Sequence, residues 1–264
     1  MKPLFIYSLC LISLNLAASE KPTYAIVDTA QTTAFDTRKS IPLRAPGESY
    51  YGQDANYIGN PPAYQNNGDG TVSDQVTGLM WLQSPGGKMS YTEAVKGASQ
   101  CTVGGYDDWR LPTIKELYSL IQFQGIDPDV RSSDTSKLIP FIDAVFAFEY
   151  GDPTKNERVI DSQFASSTRY VSTTTQGNET LFGVNFADGR IKGYSIETRR
   201  GKGQFYVLYV RGNPDYGVNR FQENGDGTVT DHATGLTWMQ ADSGTGMECQ
   251  FSPINLGETA APKI

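Results

Sequence analysis

The sequence predicts an α+β fold: a mixed domain of two short helices and antiparallel strands, followed by a partial second copy. Three observations carry this. The stretch Asn67-Gly68-Asp69-Gly70-Thr71-Val72, Asp74, Thr77-Gly78-Leu79 and Trp81 returns as Asn224-Gly225-Asp226-Gly227-Thr228-Val229, Asp231, Thr234-Gly235-Leu236 and Trp238. Between 66–83 and 223–240, 12 of 18 positions are identical at a constant offset of 157. A period of that length is a domain, not a solenoid unit. The second observation is a pair of S/T-x-x-E capping boxes, and the third is a run of alternating or apolar segments after residue 165.

The repeated stretch reads as a hairpin with a further strand. Asn-Gly-Asp-Gly supplies residues that tolerate positive φ, as tight turns require. A second turn from Asp74 to Gly78 leads to the apolar run Leu79 to Leu82, short enough for a buried strand. Asn67, Asp69 and Asp74, with Asn224, Asp226 and Asp231 in the repeat, are also oxygen donors at close spacing. They form a candidate calcium set, although Thr71 and Val72 stand where an EF-hand loop wants a donor and a glycine. Asx side chains are turn formers in their own right, so the plain turn is the preferred reading and no cofactor is expected.

The chain begins with Lys2, an apolar run from Leu4 to Leu16 and small residues through Ser19, which reads as a signal peptide over 1–19. The run is too short to span a bilayer. The expectation is an exported protein, whether periplasmic, cell-surface or secreted, with no transmembrane anchor. Loss of Lys2 with the leader leaves 21 basic against 29 acidic residues, a net charge of −8. That balance argues against nucleic acid as a partner. Cys101 and Cys249 remain after export and are one candidate disulfide, which two cysteines alone do not establish.

Residues 20–63 read as an N-terminal extension, with a strand at Tyr24-Ala25-Ile26-Val27. A proline- and glycine-punctuated stretch then carries Tyr50, Tyr51 and Tyr57. These suit either an aromatic carbohydrate platform or, the preferred reading, packing of the arm on the domain. Ser90-Tyr91-Thr92-Glu93 starts a helix expected to reach about Gln100. Thr113-Ile114-Lys115-Glu116 starts another expected to reach about Phe123. Between them Trp109 and Leu111 are expected to be buried, Pro112 to break the extended segment, and Arg110 to pair with Asp107, Asp108 or a helix end. Strands are expected at 169–172, 181–186, 191–194 and 205–210, with a turn at Ala187-Asp188-Gly189-Arg190.

These motifs in this order resemble the Lcl C-terminal domain family. The residues that carry the resemblance are Asn-Gly-Asp-Gly-Thr-Val-x-Asp and Thr-Gly-Leu-x-Trp, then Asp108-Trp109-Arg110-Leu111-Pro112-Thr113 with Glu116-Leu117. Ser166-Ser167-Thr168, Phe186-Ala187-Asp188-Gly189 and Val210-Arg211-Gly212 complete them. The match covers 64–212 in full and 216–247 in part. The resemblance implies a C-type-lectin-like mixed domain in a bacterial exported protein, and the family includes a surface adhesin whose domain binds sulfated glycans. Two departures matter. Ala165 stands where relatives carry an aromatic before Ser-Ser-Thr, and the calcium signatures of sugar-binding C-type lectins are absent.

The second copy is incomplete, because the counterpart of Trp109 would fall at 266, beyond Ile264. Residues 248–264 show no helical period, and a truncated or frameshifted product is the expectation. Leu236 and Trp238 must then pack on the first domain or stay exposed.

No nucleophile elbow, phosphate loop or zinc motif is present, and the single histidine, His232, lies in a turn. The expected function is a non-enzymatic binding or adhesion module for a glycan, sulfated above all, or for a surface protein. The alternatives are a structural envelope protein and an unrecognised enzyme on a fold related to the formylglycine-generating enzymes. Arg190, Lys192, Arg199, Arg200 and Lys202 are the candidate ligand-binding residues. With Arg211 they set six cations against one Glu197 between residues 190 and 211, and arginine forks suit sulfate or phosphate. The oligomeric state is left open by the sequence.

Overall fold

The computed structural model describes residues 22–129, 131, 133–199 and 201–241. The leader 1–19, Arg200, Cys249 and the tail 248–264 lie outside the described residues. In chain order the elements are β1 (Ala34–Phe35), β2 (Ser40–Ile41), β3 (Tyr64–Asn66), β4 (Thr71–Asp74), β5 (Met80–Leu82), α1 (Tyr91–Ala98) and α2 (Ile114–Tyr118). They continue with β6 (Gln163–Arg169), β7 (Thr180–Asn185), β8 (Arg190–Ser195), β9 (Glu197–Thr198), β10 (Gly201–Lys202) and β11 (Val210–Arg211). The last are β12 (Phe221–Glu223), β13 (Thr228–Asp231) and β14 (Leu236–Met239). Every pairing between these strands is antiparallel. Short helices with antiparallel sheets place the fold in the α+β class, as expected.

Two sheets build the body. One has the order β11-β5-β4-β3 and the other β6-β7-β8. Their inner faces and the two helices enclose one continuous core that includes Trp81, Leu117, Leu120, Phe164, Phe186 and Leu208. No helix among the described residues is long and apolar enough to cross a membrane.

Both capping boxes form. Ser90 accepts from the Glu93 amide while the Glu93 carboxylate accepts from the Ser90 amide, and Thr113 and Glu116 do the same for α2. The helices are shorter than their periodicity suggests. Past Tyr118 the chain tightens into three-residue turns, with the Leu120 and Ile121 amides donating to Leu117 and Tyr118 carbonyls. Leu120 and Ile121 are buried there, so burial and not helical register places them.

Other boundaries also move. The run 169–172 is not a strand, because β6 ends at Arg169 and its burial falls away after Ser166. The expected strand at 24–27 reduces to one bridge between Val27 and Asn60. The tyrosines of the arm do not pack away: Tyr57 is 59% exposed, and Tyr50 and Tyr51 are more than a third exposed. The run 205–210 is buried throughout but regular only at its end, where β11 pairs β5.

The repeated sequence folds twice into the same meander. Tyr64 faces Asp74 and Val72 faces Trp81 in β3–β5, while Phe221 faces Asp231 and Val229 faces Trp238 in β12–β14. Gly78 and Gly235 close equivalent turns at φ 73° and 74°, a left-handed conformation that favours glycine. Burial then separates them. Trp81 is 0% exposed and Trp238 is 56% exposed, because the first meander is sealed by the body and the second projects from it.

The two tryptophans should therefore respond oppositely to truncation. Trp81→Ala is expected to cost about 3–5 kcal/mol through lost transfer energy and a cavity. Trp238→Ala at low protein concentration should stay within about 0.5 kcal/mol. Urea unfolding followed by far-UV circular dichroism checks both.

Candidate functional site

The basic segment between residues 190 and 211 does not form one patch. Arg190 begins β8 and makes a fork with Asp127, at 2.9 Å to Oδ1 and 2.5 Å to Oδ2. Its other contact is the buried Asp188 carboxylate at 3.2 Å. The Asp127 hydrogen bonds hold the Arg190 guanidinium well above its ordinary range. Lys192 donates to Asp188 as well. Arg211 donates from Nε to Asp108 Oδ1 at 2.6 Å and lies over the Tyr106 ring at 3.8 Å. These three cations are partnered locally, as charge fixing a β7–β8 turn and a loop.

The remaining members go elsewhere. β9 pairs β10 with Lys202 opposite Glu197, so Arg199 sits in the connecting turn. Arg200 lies outside the described residues. This small hairpin stands beside α1, where Lys202 helps to lower the Glu93 carboxyl, after the larger effect of the Ser90 hydrogen bonds.

Between α1, the hairpin and the β6–β7 connection runs a groove of about 800 Å³. α1 is amphipathic across small residues: Ala94 and Ala98 face the core, and the Tyr209 hydroxyl donates to the Ala94 carbonyl at 2.8 Å. A Cβ on Gly97 would meet that hydroxyl at 2.4 Å, so the inner face must stay small. The outer face offers Tyr91, Thr92, Val95 and Lys96 to the groove. Arg169 and Glu179 cross the opposite wall at 2.7 Å, both well exposed, a pair worth at most about 1 kcal/mol. Asn178 and Glu197 complete the polar lining over buried Ile196. Burial raises the Tyr91 phenol, opposed by Arg169, and the ring keeps its proton at neutral pH.

None of these groove residues was legible as a site in the sequence. Tyr91 lay inside a capping box and Glu197 read only as a counter-charge. The groove joins segments some 80 residues apart in the chain, and nothing local marks such a meeting.

The candidate calcium donors are employed in the turns. Asn67 donates from Nδ2 to Thr71 Oγ1 at 2.8 Å and Ser73 Oγ at 3.0 Å, while Asp69 Oδ1 accepts the Thr71 amide at 3.0 Å. Asn224 and Asp226 repeat this with Thr228 and Thr230. Asp74 accepts the Val76 and Thr77 amides. Asp231 accepts the Arg220 and Ala233 amides, the Asn219 side-chain amide and the Thr234 hydroxyl. Burial by itself would raise Asp231, but those donors together hold it at about 2. Asp69 lies in the turn before β4 and Asp74 at the far end of that strand. Among the described residues no group of three or more His, Cys, Asp or Glu side chains is arranged to hold a metal ion. His232, by its Nε2, shares a 2.8 Å hydrogen bond with Gln222.

The Trp-Arg-Leu-Pro-Thr segment is a structural hub. Trp109 donates from Nε1 to the Val103 carbonyl at 3.1 Å, and Leu111 and Pro112 are buried. Arg110 pairs neither Asp107 nor Asp108 but the helix end. Its guanidinium donates to Glu116 Oε2 at 2.7 Å and Oε1 at 2.5 Å, and the Glu116 side chain has no exposure. Ser167 donates to the Pro112 carbonyl and Thr168 accepts the Ile114 amide, so the Ser-Ser-Thr motif clamps the start of α2.

Removing one partner of that buried ion pair strands the other. Arg110→Met should destabilise the protein by about 3 kcal/mol, whereas Arg110→Met with Glu116→Leu should recover most of the loss. Chemical denaturation of both variants measures the difference, and equal losses would show that Glu116 does not depend on Arg110.

Comparison with known proteins agrees with the motifs. The family model described as the Lcl C-terminal domain matches residues 70–211, which takes in the strands from β4 to β11, α1 and α2, and the groove. No curated protein and no solved structure matches the chain. With more than half of its length matched, from the Gly70 turn to Arg211 of β11, the chain belongs to the Lcl C-terminal domain family.

Proposed function

We propose that this chain is an exported, non-enzymatic binding module that takes a polar, glycan-type ligand in the groove beside α1. The observation that carries this reading is the lining of that groove: an aromatic ring, an amide and charged side chains of both signs around about 800 Å³. That volume suits a small ligand. Tyr91 offers a flat face for a sugar ring, and Asn178, Glu179 and Glu197 offer hydroxyl acceptors.

Sulfated glycans are the favoured class. Lys96 and Arg169 lie in the groove, and Arg199 and Lys202 stand on the hairpin that supplies its Glu197 wall. Arg169 is shared with Glu179, and a sulfate that displaced this exposed carboxylate would meet little resistance. On this reading the body is a lectin-like domain, and β12–β14 begin an incomplete second copy of it. Recognition without calcium fits donors already engaged in turns. The acidic balance of the chain disfavours nucleic acid as the ligand. A surface protein is the alternative partner for the same groove.

The test is retention of the mature chain, residues 20–264, on neutral and sulfated glycans with calcium or chelator. We expect salt-sensitive binding to sulfated sugars that is indifferent to chelator. Tyr91→Ala and Lys96→Ala should each weaken it about tenfold, about 1.4 kcal/mol. Arg190→Ala, which breaks the remote Asp127 pair, should leave it unchanged. Silence across the panel would defeat the proposal, and equal losses at Arg190 and Lys96 would defeat the groove as its site.

A further inference from the structure

A second cavity, of about 270 Å³, lies between the N-terminal arm and the end of α2. Ile121 and Tyr216 line it from the core side, where both are buried, and Tyr24, Val27 and Phe123 line it half-buried. Tyr118 stands at its mouth, 43% exposed. The arm forms one side because its backbone is tied to the body there. The Phe123 amide donates to the Thr29 carbonyl at 2.8 Å, and the Tyr216 hydroxyl to the Ala25 carbonyl at 3.1 Å. The Tyr24 and Tyr216 rings meet with centroids 5.0 Å apart.

Most polar groups of this lining are engaged within the protein. Ser119 donates from Oγ to the Glu116 carbonyl at 2.7 Å. Asp28 is the one acid among the lining residues, and both of its oxygens face backbone dipoles. Its Oδ1 accepts the Ala30 amide at 2.8 Å and its Oδ2 the Gly59 amide at 2.6 Å. Lys115 differs. Its Nζ donates to the Gly217 carbonyl at 2.7 Å and to Asn219 Oδ1. Both acceptors are uncharged, and an ammonium has a third donor. No carboxylate among the described residues forms an ion pair with it. The stem is also held in place, since a Cβ on Gly217 would meet Lys115 Cβ at 2.9 Å.

We infer that this cavity binds a small aromatic carboxylic acid, with its ring among the tyrosines and Phe123 and its carboxylate on Lys115 Nζ. Apolar cavities of about 150 Å³ take a benzene ring. A cavity of about 270 Å³ therefore admits one or two fused rings and is too small for an oligosaccharide. The surrounding rings supply edge and face contacts. The charge and third N–H of Lys115 favour an anion over the matching amide, and they repel a ligand ammonium. The cavity shares no lining residue with the α1 groove, so this site stands or falls apart from the glycan reading.

Isothermal titration calorimetry of residues 20–264 with 2-naphthoate, 2-naphthamide and 2-naphthylmethylamine tests this. The acid should bind with a Kd on the order of 0.1 mM, within what about thirteen non-hydrogen atoms can supply. The amide should bind about tenfold more weakly, and the amine not at all. Lys115→Met should abolish the preference for the acid while the amide binds as before, which shows the cavity intact. Lys115→Arg should restore the preference. Tyr118→Ala should weaken both acid and amide, and Tyr91→Ala, in the α1 groove, should change neither. No binding of 2-naphthoate would overturn the inference. So would equal affinity for all three probes, or a preference for the acid that survives Lys115→Met.

Discussion

The body depends on one buried length of backbone, residues 205–210. All six side chains are buried, so each amide and carbonyl must find a partner inside the protein. They find several. Phe205 exchanges bonds with Met89, Tyr206 donates to Gln163 and accepts from Ala165, Tyr209 accepts from Leu82, and Val210 exchanges bonds with Arg110. One segment thus ties the α1 entry, β6, β5 and the Trp-Arg-Leu-Pro segment together. It cannot be a regular strand of one sheet, because its partners belong to different sheets and loops.

The family motifs are mutual supports around that segment. Arg110 is held by its backbone to Val210 and by its side chain to Glu116. Glu116 also accepts the Thr113 amide at 2.8 Å, so one carboxylate closes the helix cap and neutralises the arginine. Ser167 and Thr168 grip the same turn from β6. Motifs scattered over a hundred residues thereby meet within one small polar cluster. Their chemistry serves the scaffold, while the groove is built from residues that belong to none of them.

The two meanders show how little a local sequence says about burial. Strand register, turn glycines and Asx hydrogen bonds are alike in both. Local hydrogen bonding suffices to shape the turns. What differs is the covering, and a covering is contributed by distant chain. A tryptophan that anchors one core becomes, in the repeat, part of an exposed apolar edge.

By itself the sequence determined the α+β class, the family, both capping boxes and the two meanders, since each rests on contacts within a few residues. It also placed Trp109 and Leu111 inside and gave Arg110 a choice of partners that included the helix end. Only the tertiary structure decided that Arg190 and Lys192 are bound to acidic neighbours while Arg199 and Lys202 stand on a hairpin beside a groove. Six cations adjacent in sequence look like one patch, but β8 carries its two ends apart and Asp127 arrives from 63 residues away. The groove of Tyr91, Lys96, Arg169 and Glu197 had no sequence signal for the same reason. Its members become neighbours only when α1 packs against the β6–β7 end, through interactions that span the chain.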